Sequence, residues 1–163
     1  MTNTDNANRQ FIAVEELLGR WLQSRNTLLS KYTGIVLSTE DSLDGTDVAT
    51  GQKALGEIIV DYVSAGHFEV FHELLNEAEL FADGGRDLAV RLIPEINDTT
   101  DFILAYEEKY RAGEEHPNTL ERDLSALGEI LESRFELEDQ LIGGLHNRHR
   151  SKLEAPNPQR SGA

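Results

Sequence analysis

Apolar side chains recur every three or four residues along most of this chain, the spacing that places side chains on one face of an α-helix. The first such stretch predicts a helix over about residues 9–33. Residues 38–47 lack this spacing and contain turn-forming aspartates and a glycine, so we expect a loop there. The repeat of the first helix consists of Phe11, Val14, Leu18, Trp21, Arg25, Leu28 and Tyr32.

A second amphipathic stretch ends at a pair of glycines and predicts one long helix over about residues 48–82. A third helix is predicted over about residues 86–110. It contains Pro94, which lacks a backbone donor and clashes with the preceding turn. We therefore expect a kink or a break near Ile93.

The last amphipathic stretch predicts a helix over about residues 118–149, and Asn118 with Glu121 resembles a capping box at its start. Residues 1–8 are polar and are expected to be flexible, and residues 151–163 have nothing to bury and are expected to be disordered. These boundaries leave one domain.

Four long helices joined by short loops favour an all-α fold, an antiparallel up-and-down four-helix bundle with long, partly kinked helices. The 163 residues suffice for one substantial core, so we assign a single helical domain to residues 9–150.

The chain has no cysteine, which excludes disulfides, zinc-thiolate sites and thiol nucleophiles. No stretch resembles a signal peptide or approaches the roughly 20 apolar residues of a membrane span, so a cytoplasmic protein without membrane contact is expected.

The chain is strongly acidic, with 30 acidic and 15 basic residues and a formal net charge of -15. Such a field repels nucleic acid and anionic membranes, so direct nucleic-acid binding is not expected. A basic protein is the natural partner. The charge alone is equally compatible with a surface that only keeps the protein soluble.

Three charged residues interrupt the buried stripes, namely Arg25 in the first helix and Arg134 and Glu138 in the last. An isolated buried charge is prohibitive, whereas a hydrogen-bonded pair is tolerated. We therefore expect the arginines and Glu138 to satisfy one another, or His67, across the bundle as a structural polar network.

A metal site is a weaker alternative, because histidines and glutamates that project inward build the metal centres of hemerythrin-like bundles. His67 and His72 are five residues apart, which does not align them on a helix face. His146 and His149 lie beside arginines, whose charge opposes a bound cation.

Neither a phosphate-binding loop nor a G-x-S-x-G or H-E-x-x-H motif occurs, so no enzyme activity is expected.

The run from Asp61 to Phe68 combines an acidic residue, small residues and an aromatic residue within one predicted helix. Gly66 costs roughly 1 kcal/mol relative to alanine inside a helix, and it permits close approach of another backbone. Close packing within the bundle would explain Gly66 alone. The whole run indicates a docking notch, with Asp61 for an arginine, the Ser64 hydroxyl, and Phe68 as an apolar anchor.

Three blocks of the chain are distinctive: Arg20-Trp21-Leu22, the run from Asp61 to Phe68, and the run from Arg134 to Ile142. In order and spacing they resemble the Rsd/AlgQ family, the bacterial regulators of the primary sigma factor. The resemblance covers nearly the whole chain. The run from Asp61 to Phe68 is its most specific part.

The resemblance implies a helical bundle that binds the C-terminal helix-turn-helix domain of the primary sigma factor, called region 4, and thereby acts as an anti-sigma factor. No cofactor is implied. Carried over by residue, it makes Asp61, Ser64 and Phe68 the sigma contacts, with Trp21 and His67 as neighbours.

Two other hypotheses remain, a hemerythrin-like metal-binding bundle and an acidic helical adaptor for another basic protein. The protein is expected to be a monomer or a weak homodimer.

Overall fold

The computed structural model describes residues 3–40, 45–112 and 116–154, and within these ranges the chain is helical and contains no strand. The prediction of an all-α bundle is confirmed. The α-helices are α1 (Asn3–Glu40), α2 (Gly45–Ala65), α3 (Phe71–Phe81), α4 (Gly85–Arg111), α5 (Leu120–Ile142) and α6 (Arg148–Glu154). Five-residue π-helical turns join α2 to α3 at Gly66–Val70 and α5 to α6 at Gly143–Asn147.

Because the π-turns continue the helices that they join, the chain forms four long rods. Helix α1 packs against α2 and α3, α2 packs against α4, and α4 packs against α5. One continuous core lies between the rods and contains fully buried apolar side chains from each of them. These include Val14, Leu28, Leu55, Ile59, Leu74, Ile96, Ile103, Leu127, Leu141 and Leu145.

Helix α1 is longer at both ends than the predicted range of residues 9–33. It begins at Asn3, buries Ala7, and continues to Glu40. The predicted loop over residues 38–47 is therefore wrong at residues 38–40 and 45–47, which are helical, and residues 41–44 lie outside the described part. Within the last turn the Ser38 hydroxyl donates to the Gly34 carbonyl, which supports the helix without any apolar repeat.

Helix α4 runs through Pro94 without a break. The proline is exposed, and the carbonyl that it leaves without a helical partner belongs to Val90, which is also exposed. Water can satisfy that carbonyl, so the helix tolerates the proline. The structural interruptions occur instead at the two π-turns.

The predicted capping box at Asn118 and Glu121 is wrong. Thr119 occupies the cap position of α5 and makes no side-chain capping hydrogen bond. The Leu120 amide donates to the His116 carbonyl at 2.9 Å, so a backbone turn begins this helix. At the other end α6 extends to Glu154, and the remainder of the predicted tail, residues 155–163, lies outside the described part.

Candidate functional site

The run from Asp61 to Phe68 crosses the junction between α2 and the first π-turn and presents a mixed acidic and aromatic surface. Asp61 is exposed and Ser64 is half-buried. Phe68 is 78 % exposed, more than any other large hydrophobic residue of the described chain. The His67 ring is also exposed and lies edge-on to the Phe68 ring, with centroids 4.8 Å apart. We call Asp61, Ser64, His67 and Phe68 the α2 surface.

A shallow groove of about 310 Å³ lies beside Asp61, between α1 and α2. Its apolar parts are suited to a partner's side chain, and Asp61 supplies a carboxylate at its edge. The groove is lined by Trp21, Ser24 and Thr27 from α1 and by Ile58, Asp61, Tyr62 and Ala65 from α2.

Trp21 belongs to the support behind the α2 surface, because it is only 3 % exposed. Its indole Nε1 donates to the Tyr62 carbonyl at 3.1 Å, and its ring stacks on the Tyr62 ring at a centroid distance of 4.7 Å. A methyl group added at Gly66 would lie 3.0 Å from Trp21 Cζ2 and 3.4 Å from Phe71 Cζ. The glycine therefore allows Trp21 to pack directly against the backbone that carries the α2 surface.

The π-turn at Gly66–Val70 determines which side chains face outward. The Phe71 amide donates to the Gly66 carbonyl, five residues earlier, which is the hydrogen bond of a π-helix. Gly66 and Val70 are buried, and the three residues between them are exposed. Phe68 is the middle residue of the three.

The buried carboxylate of Glu138 forms the centre of the polar network behind the α2 surface. Its Oε1 accepts from the Tyr62 hydroxyl at 2.5 Å and from Arg25 Nη2 at 3.0 Å, and its Oε2 accepts from Arg134 Nε at 2.9 Å. Burial raises the pKa of Glu138, and the two arginines and the tyrosine hydroxyl oppose that rise. Burial and the neighbouring Glu138 also raise the pKa of Tyr62.

The two arginines extend this network to all four rods. Arg134 is 1 % exposed, and its Nη1 donates to Thr100 Oγ1 at 2.6 Å and to the Ile96 carbonyl at 3.2 Å, both in α4. Arg25 of α1 also donates to Asp139 at 2.7 Å and to the Tyr62 hydroxyl at 3.1 Å. The structure thus brings Arg25, Arg134 and Glu138 together.

His67 takes no part in this network. The sequence allows His67 as a partner of Glu138, but the π-turn directs it outward, where it contacts Phe68 instead. Tyr62 is a further partner of Glu138 and is absent from the predicted network. The signal was available, because Tyr62 lies four residues before Gly66 on the buried stripe and its hydroxyl requires a partner when buried.

A second buried polar cluster was also missed. Glu77 of α3 is fully buried, and its two oxygens lie 2.6 Å from Nδ1 of His146 and 2.6 Å from Nδ1 of His149. The other ring nitrogen of His149 lies 2.6 Å from Asp83 Oδ2. Each ring stacks on a phenylalanine, His146 on Phe11 and His149 on Phe81. Through these contacts the second π-turn packs against α1 and α3, and α6 packs against α3.

Both ring nitrogens of His149 lie within hydrogen-bond distance of carboxylates, Nδ1 of Glu77 and Nε2 of Asp83. Burial alone raises the pKa of Asp83, but Arg148, Lys152 and His149 outweigh it and hold that pKa well below its usual range. Ion pairs among these residues hold α6, the last of the described helices, to the junction between α3 and α4.

No group of three or more histidines, cysteines, aspartates or glutamates in the described ranges is arranged to hold a metal ion. The ring nitrogens of His149 and Nδ1 of His146 are instead directed at carboxylates as hydrogen-bond partners. Across the described helices, none is both long and apolar enough to cross a membrane.

Comparison with known proteins shows similarity along nearly the whole chain. The family model described as "Regulator of RNA polymerase sigma(70) subunit, Rsd/AlgQ" matches residues 1–146. A protein named "Regulator of sigma D" from Shigella boydii is 32 % identical over 151 residues, which cover 87 % of this chain and 91 % of that protein. A protein of the same name from Yersinia enterocolitica is 29 % identical over 133 residues, 78 % of each chain.

No solved structure shows significant similarity to the chain. The family match extends from the first residue through α5 and most of the second π-turn, and so includes the α2 surface and the Glu138 network. The chain therefore belongs to the Rsd/AlgQ family.

Proposed function

We propose that this protein is an anti-sigma factor that binds the primary sigma factor of bacterial RNA polymerase through the α2 surface. The family description and the names of the relatives support a sigma regulator. The observation that carries the proposal is the exposure of Phe68, which is 78 % exposed on the same surface segment as the exposed Asp61, about two helical turns away. A large aromatic side chain at such exposure is typical of a contact residue.

The partner segment is the C-terminal helix-turn-helix domain of sigma, region 4. A helix-turn-helix presents arginine and lysine to phosphates and base edges. A chain with a formal charge of -15 is electrostatically complementary to that surface. Binding there masks the surface that contacts promoter DNA and the core polymerase, and it thereby reduces transcription from promoters that need the primary sigma factor.

Each residue of the α2 surface has a distinct role in the proposal. Asp61 pairs with an arginine of the sigma domain, Ser64 offers a hydroxyl, and Phe68 packs against an apolar flank of that domain. His67 braces the Phe68 ring edge-on. Trp21 acts from behind, because it is buried against Tyr62 and Gly66. The proposed regulator works in the cytoplasm as a monomer or weak homodimer and needs no cofactor.

Calorimetric titration of the full chain with a purified sigma C-terminal domain tests the proposal. We expect Asp61→Ala to weaken binding by roughly 1 to 3 kcal/mol, the scale of a lost charge-assisted contact, and Phe68→Ala to cost about 2 kcal/mol or more. The matched control is Val90→Ala on α4, which truncates another exposed apolar side chain. Wild-type protein that does not bind the domain would refute the proposal, and equal affinities for wild type and both variants would remove the α2 surface from the interface.

The salt dependence of the same titration tests the role of charge. We expect affinity to fall as salt increases from about 50 to 300 mM, because ions screen contacts between exposed charges. The slope should be smaller for Asp61→Asn, which keeps the side-chain shape. An affinity that is independent of salt would show that the acidic surface does not guide docking.

A further inference from the structure

The first π-turn contains one residue more than a regular helix would place between the two buried stripes that flank it. On the α2 side the buried positions are Tyr62, Val63 and Gly66, and on the α3 side they are Val70, Phe71 and Leu74. The buried pair Tyr62 and Val63 is followed by the buried pair Val70 and Phe71 after eight residues. Two turns of α-helix contain only about 7.2 residues.

The extra residue enlarges the outward side of the helix. Gly66 cannot move outward without opening a gap against Trp21, and Val70 is completely buried. The chain between these two buried residues must therefore curve outward as an arc of three residues. His67, Phe68 and Glu69 form this arc, and all three are exposed. The middle residue of such an arc projects farthest from the bundle, which accounts for the exposure of Phe68.

The second π-turn gives an internal comparison. Its Arg148 amide likewise donates to the Gly143 carbonyl, five residues earlier. Its interior residues Leu145 and His146 are buried, and His146 contacts Glu77 and Phe11. A π-turn therefore does not in itself expose an aromatic ring. The first π-turn differs because its interior residues face solvent.

We infer that the π-turn at Gly66–Val70 is the positioning element of the sigma-binding site: its extra residue places Phe68 at the apex of the arc formed by His67, Phe68 and Glu69. The inference rests on the proposed function. At this position most of the Phe68 side chain is exposed, and its neighbours His67 and Glu69 place polar groups in solvent on both sides. Single π-helical turns inside α-helices are rare and occur frequently at functional sites.

Deletion of Glu69 tests this inference, because it removes one residue from the arc and leaves both buried anchors in place. Phe68 then directly precedes Val70 and takes the place at the edge of the arc that Glu69 now occupies. We expect the variant to remain helical and to bind the sigma C-terminal domain about tenfold or more weakly, equivalent to 1.4 kcal/mol or more. The matched control is Glu69→Ala, which removes the same carboxylate but retains the π-turn; it should lose clearly less affinity than the deletion variant.

The outcomes separate the two proposals. A folded deletion variant that binds as tightly as wild type overturns the positioning inference, while the Asp61 and Phe68 variants still test the proposed function. A loss of affinity in Glu69→Ala equal to that of the deletion also overturns it, since the carboxylate would then be responsible. A wild-type protein without affinity for the sigma domain refutes the proposed function and this inference together.

Hydrogen exchange of the wild-type complex provides a measurement that does not depend on the folding of the variant. The Phe71 amide reports on the π-helical bond to Gly66, and the Arg148 amide reports on the equivalent bond to Gly143. We expect the sigma domain to slow exchange at Phe71 and to leave Arg148 unchanged, because opening of a turn is suppressed where a partner covers it. Unchanged exchange at Phe71, with protection of amides in α2, would contradict the inference.

Discussion

At the scale of single residues, two glycines in the same structural position have different surroundings. Gly66 and Gly143 each begin a π-turn. A methyl group at Gly66 would contact Trp21 at 3.0 Å, whereas none of the described atoms outside its own helix turns lies within 4 Å of a methyl group at Gly143. Trp21 cannot shift easily, because it is stacked on Tyr62 and hydrogen-bonded to the Tyr62 carbonyl.

We expect Gly66→Ala to destabilise the protein and Gly143→Ala to stabilise it. Both substitutions gain up to about 1 kcal/mol of helix propensity, but overpacking against Trp21 costs about 1 to 3 kcal/mol. Urea unfolding followed by circular dichroism measures both free energies of unfolding. Equal changes in the two variants would contradict the close contact at Trp21.

At the scale of elements, two aspartates join separate helices through ion pairs. Asp83 lies between α3 and α4 and accepts from Arg148 and Lys152 of α6. Asp123, in the first turn of α5, accepts from Lys109 Nζ at 2.6 Å and from the Tyr110 hydroxyl at 2.7 Å, both in α4. Burial alone raises the pKa of Asp123, but the hydrogen bonds from Lys109, Tyr110 and Arg122 outweigh it and lower that pKa to about 2.

These lowered pKa values predict acid sensitivity. An unfolded aspartate has a pKa of about 3.9, so the folded state binds fewer protons, and the stabilisation is complete above about pH 5 and is lost as the pH falls towards 2. We therefore expect Asp83 and Asp123 to lower the free energy of unfolding as the pH falls below about 5. For Asp123→Asn the free energy of unfolding should decrease less steeply than for wild type, because the variant lacks one of the two groups with a lowered pKa. Identical slopes for wild type and Asp123→Asn, from urea titrations at each pH, would exclude Asp123 as a source.

At the scale of the whole molecule, Glu138 is the point at which the four rods meet. Its carboxylate receives donors from α1, α2 and α5, and Arg134 carries the network on to α4. The network lies behind the wall of the groove, because Tyr62 contributes its hydroxyl to Glu138 and its ring to Trp21. The register of the rods and the shape of the α2 surface thus depend on one buried group.

Glu138→Gln should destabilise the fold by about 3 to 5 kcal/mol, because it leaves Arg134 buried without its counter-charge. Thermal and urea unfolding measure the loss. Glu132→Gln, an exposed substitution in the same helix, should change stability by no more than about 0.5 kcal/mol. A Glu138→Gln protein as stable as the Glu132 control would show that the buried network does not hold the bundle together.

The sequence by itself determined the helical class, the four rods, the charged residues of the Glu138 network and the family resemblance. Those features depend on local spacing and on short runs of residues, which can be recognised in a single sequence. The sequence could not locate the π-turns, because one added residue hardly alters a pattern in which apolar residues recur every three or four positions. Of the kink or break predicted near Ile93, the break was wrong for a related reason, since the exposure of a backbone carbonyl is decided by packing.

Only the tertiary structure decided which side chains meet across the bundle. Glu77 pairs with His146 and His149 about seventy residues later, and no local pattern specifies such a distance. The same holds for Trp21, which the apolar repeat left open between core and contact, and which the packing of Gly66 and Tyr62 buries. The spacing of apolar residues predicts which face of a helix is buried. The neighbouring helices decide what that face touches, and the extra residue of the first π-turn decides that Phe68 faces solvent.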